Sequence, residues 1–310
     1  MRRRRIATTA AAVLAAAGTT AGGLAGPGAA GGAAPGPRIA GCPVFPRSNA
    51  WNRDVSRAPV DPRSAQYIAA IGPGNLHPDF ASRRYGIPIT VASASQARVP
   101  VRFTGYPQES DPGPYPIPPS ARVESGSDRH AIVVQRGRCR LYELFDAHRA
   151  GNGWTASNGA VFDLRSNRRR PAGWTSADAA GLPIMPGLAR ASEARAGAIR
   201  HALRFTVRAT QKAYVAPARH FASADPNPAL PPMGLRLRLK AGFDLRPYHG
   251  QARVILRALK TYGMIVADNG SSWFITGAPD PGWRDAQLEE LKRVPGTAFE
   301  VVRAGPLTHG

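Results

Sequence analysis

The hydrophobic positions of this chain change period several times, and each change predicts an element. Residues 139–146 read CRLYELFD. In an extended chain Cys139, Leu141, Glu143 and Phe145 share one face, and Arg140, Tyr142, Leu144 and Asp146 share the other. That alternation predicts a strand, joined through Arg136-Gly137-Arg138 to a second strand near 130–135 as a hairpin. Shorter β-like runs fall at 87–92, 99–104, 159–164 and 198–207. At 234–243, Leu235, Leu237 and Leu239 alternate with Arg236, Arg238 and Lys240, which predicts a half-buried strand with a basic outer face.

Helical spacing replaces alternation twice. Ala252, Ile255, Leu256, Leu259 and Tyr262 recur at helical intervals, with Gly263 as the stop. Segment 61–73, DPRSAQYIAAIGP, offers Asp61 as N-cap, Pro62 at the first helical position and Gly72-Pro73 as terminator. Two β-like runs, 264–267 and 272–276, flank Asp268-Asn269-Gly270-Ser271, the signal of a hairpin. A helix near 284–293 and a strand at 298–303 follow. Residues 107–120 hold six prolines and predict an extended, ordered loop, and 165–190 predicts a long structured loop. The expected fold is mainly β with peripheral helices: a single-domain β-sandwich or jelly-roll-like core over 42–303, with 304–310 as a tail.

Composition adds a destination. The N-terminus places four arginines before an Ala/Leu/Val-rich run and then small residues, the order of a secretory signal over 1–30. The paired arginines leave the export route open. An Ala/Gly/Pro linker fills 31–41. The expected localisation is secreted (extracellular), and the mature chain has no apolar run long enough for a membrane span. Its only cysteines, Cys42 and Cys139, then pair as a disulfide. The formal charge of +21 comes almost wholly from arginine, since only Lys212, Lys240, Lys260 and Lys292 are lysines. Such a surface attracts acidic polymers without naming one.

Candidate chemistry lies where polar groups interrupt apolar rows. A buried carboxylate costs on the order of several kcal/mol unless it is paired or protonated. Glu143 breaks one row, as a structural carboxylate paired with an arginine or as an acid/base in a cavity. His201 breaks another, among Ile199, Leu203, Phe205 and Val207, as a satisfied core residue or as its partner. His130 opens the strand before CRLYELF, next to Asp128. Asp163 lies in GAVFDL, and Asp178 lies in GWTSADAAGLP beside Trp174. Carboxyls near tryptophans suit sugar cleavage, because aromatic faces hold the pyranose while two carboxyls move the proton and activate the nucleophile. Trp154 and Trp273 could serve the same way or be core residues, and Arg204 could bind an acidic group.

Dinucleotide, Walker, zincin and nucleophile-elbow motifs are missing, so no cofactor is expected. A metal held by His130, His201 and Glu143 rests on no motif, and none is expected. No aromatic-and-basic module points to nucleic acid.

The strings SDPGPYPIP, DRHAIVV, CRLYELF, GWTSADAAGLPI, RHALRFT, PPMGLRLRLK and LRALKTYGMIVADNGS together resemble a family of secreted bacterial proteins of about this length. The resemblance spans nearly the whole mature chain and implies a single domain and export. It transfers no residue's role. The functional expectation is a secreted carbohydrate-active enzyme, a glycoside hydrolase or polysaccharide lyase, with Glu143 and one of Asp163, Asp178 or Asp128 as the carboxyl pair. The alternative is a non-catalytic protein that binds an acidic wall or matrix glycan through the same cleft or through Arg236, Arg238 and Lys240.

Overall fold

Strand Arg140–Phe145 is hydrogen-bonded on both sides, antiparallel to Ala131–Gln135 and to Asn158–Asp163. Strand Ile89–Ala92 adds to the far side of Ala131–Gln135 in parallel and completes a four-stranded sheet. The period-two pattern sorts its faces. Ile132, Val134, Leu141 and Phe162 join the main hydrophobic core, whereas Val133, Tyr142 and Leu144 pack with Tyr115, Trp154 and Ala156 in a second one. That second core underlies a three-stranded sheet of Val101–Phe103, Gly153–Ala156 and His148–Ala150. Glu143 and His130 share the parity of Leu141 and Ile132, so both belong to the main-core side.

The coordinates are a computed structural model that describes residues 36–83 and 85–310. The expected signal peptide 1–30 lies outside the described residues. Residues 36–310 form one compact unit. A six-stranded mixed sheet runs in the order Phe299–Val301, Arg236–Leu239, Met264–Asn269, Leu203–Val207, Phe274–Thr276 and His77–Asp79. It supplies Leu203, Phe205, Leu237, Val266 and Ile275 to the main core. Helix Gly250–Thr261 buries the expected Ala252, Ile255, Leu256 and Leu259 against it. Each such aliphatic side chain contributes roughly 1.5–3 kcal/mol on burial. Strand exceeds helix, 26% to 17%, so the chain is mainly β with short peripheral helices.

Several local expectations change. The helix spans Ser64–Ile71, and Asp61 acts one turn earlier by accepting the Arg63 N–H at 2.9 Å. No hairpin forms around Asn269-Gly270, because Leu203–Val207 lies between the two flanking strands and pairs with both. The left-handed backbone that a tight hairpin needs occurs at Trp273 instead, with φ 68°. The strand at 203–207 starts after His201, so His201 stands outside the alternating row.

The basic outer face at 234–243 is covered. Arg238 bonds Glu300 at 2.7 Å and the carbonyls of Val55 and Ala58, and Arg236 bonds the carbonyls of Arg53 and Ala50. Only Lys240 of the three is exposed.

Both ends of the described chain are tied in. Arg38–Ile39, from the expected linker, pairs with Cys42–Pro43, and Thr308–His309, from the expected tail, pairs with Ala213–Tyr214. The Cys42–Cys139 disulfide forms across a separation of 97 residues. Among the described residues no helix is long and apolar enough to cross a membrane.

Candidate functional site

Glu143 meets no arginine among the described residues. Its carboxylate accepts two backbone N–H groups, from Ile184 at 2.9 Å and from Met185 at 2.8 Å, at the start of the short helical turn Met185–Gly187. The side chain is 0% exposed. Burial pushes its pKa up to about 7, against the lowering effect of those two N–H bonds; the nearby Asp178 charge adds to the rise.

His201 is also 0% exposed. Its Nδ1 lies 2.8 Å from the Ala202 carbonyl and its Nε2 lies 3.1 Å from Glu193. Glu193 also accepts from Arg190 at 2.7 Å. Burial alone would raise the Glu193 pKa, but the Arg190 and His201 charges bring it down to about 2. Arg190 in turn donates to the carbonyls of Met185 and Leu188. The two ionisable breaks therefore serve one turn from opposite ends, Glu143 at its N–H groups and the Arg190–Glu193–His201 set at its carbonyls. They share no bond and line no common cleft.

A different constellation gathers on the inner strands of the six-stranded sheet. Arg204 forks onto Asp178, with Nε 3.0 Å from one carboxylate oxygen and Nη2 2.8 Å from the other, and donates to the Thr276 hydroxyl at 2.8 Å. Asp178 is 0% exposed. The same guanidinium lies 3.7 Å from Asp268, whose side chain is 24% exposed.

Asp268 reaches Arg204 through a β-bulge. Phe205 pairs with Val266 and Thr206 pairs with Asp268, so Ala267 is the extra residue. Unbulged, Asp268 would fall beside Val207, on the side of Phe205. The bulge puts it beside Thr206, on the side of Arg204. Partial burial and the neighbouring Asp178 carboxylate raise the Asp268 pKa, and Arg204 only partly offsets them.

His130 completes the set. Its ring nitrogens lie 2.5 Å from Glu124 and 3.0 Å from the Ala177 carbonyl. Two acceptors on two nitrogens suit the imidazolium. Burial opposes that charge, but the Glu124 bond and charge outweigh it and hold the pKa above the ordinary value. With both nitrogens engaged, His130 is held in place and has no nitrogen free to act as a base. Its charge acts on Glu143 and Asp268.

This cluster opens into a cleft of about 450 Å³ that Asp268 shares with Asp128, Phe145, Lys212, His220 and Phe221. His220 spends Nδ1 on the Ala179 carbonyl at 2.8 Å, and its ring stacks on Phe221. The structure thus brings together His130, Glu143, Asp178 and Arg204 behind Asp268, with Asp128 on the cleft wall.

It does not bring in the rest. Asp163 pairs with Arg140 at 3.6 Å and lines another recess with Trp174. Trp154 is buried in the second core under Arg149, and Trp273 is buried in the main core with its indole N–H on the Gly72 carbonyl. Both side chains are buried, as core residues are. Asp268, Lys212 and His220 were not singled out from the sequence. The bulge that re-aims Asp268 leaves no mark in the hydrophobic pattern.

The loop 174–182 is a rigid partition beside this cleft. Arg170 donates to the Thr175 carbonyl at 2.8 Å and bonds Asp111 and the Glu109 carbonyl, while the Glu109 carboxylate accepts the Thr175 N–H at 2.7 Å. The proline-rich segment and the Asp178 loop are thereby locked to each other. Among the described residues no group of three or more His, Cys, Asp or Glu could hold a metal ion. Compared with family models, curated proteins and solved structures, the chain matches none.

Proposed function

We propose that the protein is a secreted carbohydrate-active enzyme that cleaves a polysaccharide or glycoconjugate by carboxyl acid/base chemistry, with Asp268 as the proton donor. The observation that carries this reading is the setting of Asp268: a partly buried carboxyl at a cleft wall, backed by the Asp178 carboxylate and one shared guanidinium. Such a group keeps its proton to higher pH than a free aspartate and can deliver it to a glycosidic oxygen. Asp128, exposed in the same cleft, is the second carboxyl, available to activate water. The rings of Phe145 and Phe221 offer apolar faces to a sugar. Glu143 becomes a positioning residue, since it fixes the turn that follows the Asp178 loop. Export belongs to the same reading and is supported by the disulfide, which persists in oxidising compartments.

The test is release of reducing ends from a panel of polysaccharides. Asp268→Asn should lower turnover on any substrate found by roughly a hundredfold or more. Unchanged turnover in a folded variant would remove Asp268 from the chemistry.

A further inference from the structure

A second recess, of about 410 Å³, takes Gly181 and Leu182 from the same 174–182 loop. Its lining holds Arg53, Arg168, Arg169, Arg170 and Arg219 and no carboxylate. Of these, only Arg170 has an acidic partner among the described residues, Asp111. Arg53, Arg168 and Arg169 are exposed, and their guanidinium groups have no hydrogen bond or ion pair among the described residues.

The positive charge continues below the surface. Arg236 donates to the Arg53 carbonyl at 3.4 Å and to the Ala50 carbonyl, and it too lacks a carboxylate. Burial and the Arg53 charge bring its pKa down to about 10. Like charges have thus been gathered without a counter-charge, which costs stability unless an anion completes the site.

The walls are also held at a fixed separation. The Asn49 amide donates to Asn167 at 3.0 Å, and the Asn167 amide donates to the Ser48 hydroxyl at 2.8 Å. Arg53 follows the helical turn that Asn49 caps, and Arg168 follows Asn167 directly. The backbone that carries the arginines is therefore held before a ligand arrives, so binding has only the side chains left to order.

We infer that this recess binds the acidic groups of an anionic polysaccharide, guanidinium to carboxylate or sulfate. A polymer fits because the Arg168–Arg170 run also lines an adjoining recess of about 610 Å³, whose two carboxylates, Asp111 and Asp163, are taken up by Arg170 and Arg140 and leave Arg168 and Arg169 as its free charges. A glycan fits better than a nucleic acid. The aromatic residues Phe45, Trp51 and Phe162 of the first recess are buried, and Trp174 in the second lies under Arg170, so no row of open rings awaits stacked bases. The disulfide supports an extracellular ligand. The inference does not depend on cleavage, since Asp268 lies outside this groove and binding is read without turnover.

Fluorescence anisotropy with labelled oligogalacturonate and labelled heparin fragments tests it, beside a neutral glucan and a single-stranded oligonucleotide. At least one acidic glycan should bind at low salt and weaken steeply as salt rises, while the neutral glucan does not bind. Combining Arg53→Ala, Arg168→Ala and Arg169→Ala should weaken binding on the order of tenfold or more, by loss of several exposed ion pairs. The guanidinium groups removed hold nothing in the fold, so the melting temperature should stay close to that of the parent. Arg257→Ala, on the exposed side of helix Gly250–Thr261 and outside the groove, should change binding less than about twofold. The inference is overturned if neither acidic glycan binds at low salt, if Arg257→Ala weakens binding as much as the triple variant, or if the oligonucleotide binds more tightly than both glycans.

Discussion

Glu143 accepts the Met185 N–H at 2.8 Å, and Met185 passes its own carbonyl to Arg190 at 3.2 Å. A single turn of backbone is thus gripped from both ends by charged side chains that reach it from a strand and from a helix edge. The glutamate that looks costly in CRLYELF finds its compensation in two main-chain donors.

That compensation is incomplete, and its pH signature follows. The folded Glu143 pKa, about 7, lies above that of an unfolded glutamate. Between those two values the folded state holds more protons, so the stability tied to Glu143 is present at low pH and is lost as pH rises through 7. Glu143→Gln should flatten this slope in melting experiments from pH 4 to 8. It should also cost about 1–3 kcal/mol at pH 5, since a carboxamide offers one acceptor oxygen to two donors.

Glu193 works in the opposite direction. Its folded pKa, about 2, lies below that of a free glutamate, so its contribution is present at neutral pH and is lost as pH falls toward 2. Glu193→Ala should destabilise the protein by about 3–5 kcal/mol at pH 7, because Arg190 is left buried without its counter-charge and His201 loses its hydrogen-bond partner. Denaturant titration measures it.

The disulfide closes a span of 97 residues between the first strand pair and the central sheet. Replacing Cys42 and Cys139 together by serine should lower the unfolding free energy by roughly 4 to 5 kcal/mol on the chain-entropy account. Guanidinium titration of the oxidised parent against the double variant gives the figure.

For cleavage, the acid must hold its proton. With Asp268 as donor, kcat/KM on a glycan substrate should fall as pH rises through its elevated pKa. Asp178→Asn removes the like charge that helps to raise that pKa, so the alkaline limb should move to lower pH. A fixed limb would show that Asp178 does not tune the acid.

Much of the frame was legible in the sequence. The strand at Arg140–Phe145, the helix at Gly250–Thr261 and the cysteine pair follow from periodicity and compartment chemistry. The inter-sheet cluster was legible only in part. Glu143, His130 and Asp178 draw notice because they interrupt apolar or aromatic surroundings. Asp268 does not, because Asn-Gly after it signals a turn, and the extra residue that re-aims it is an alanine as apolar as its neighbours. His201 misleads for a related reason: periodicity gives a side but not a partner, and its partner Glu193 comes from a short helix with no apolar row of its own. The arginine groove escapes notice in a chain where arginine is everywhere.

The Arg170 lock has one further consequence. The loop it braces contributes Thr175, Ser176, Ala177 and Ala179 to the Asp268 cleft and Gly181 and Leu182 to the arginine groove. A stiff divider keeps two sockets at constant pitch, as teeth are on a gear. A chain lying across both would be accepted by how many sugars separate its charged group from the bond to be cut, so selectivity by length would be written into the thickness of one loop.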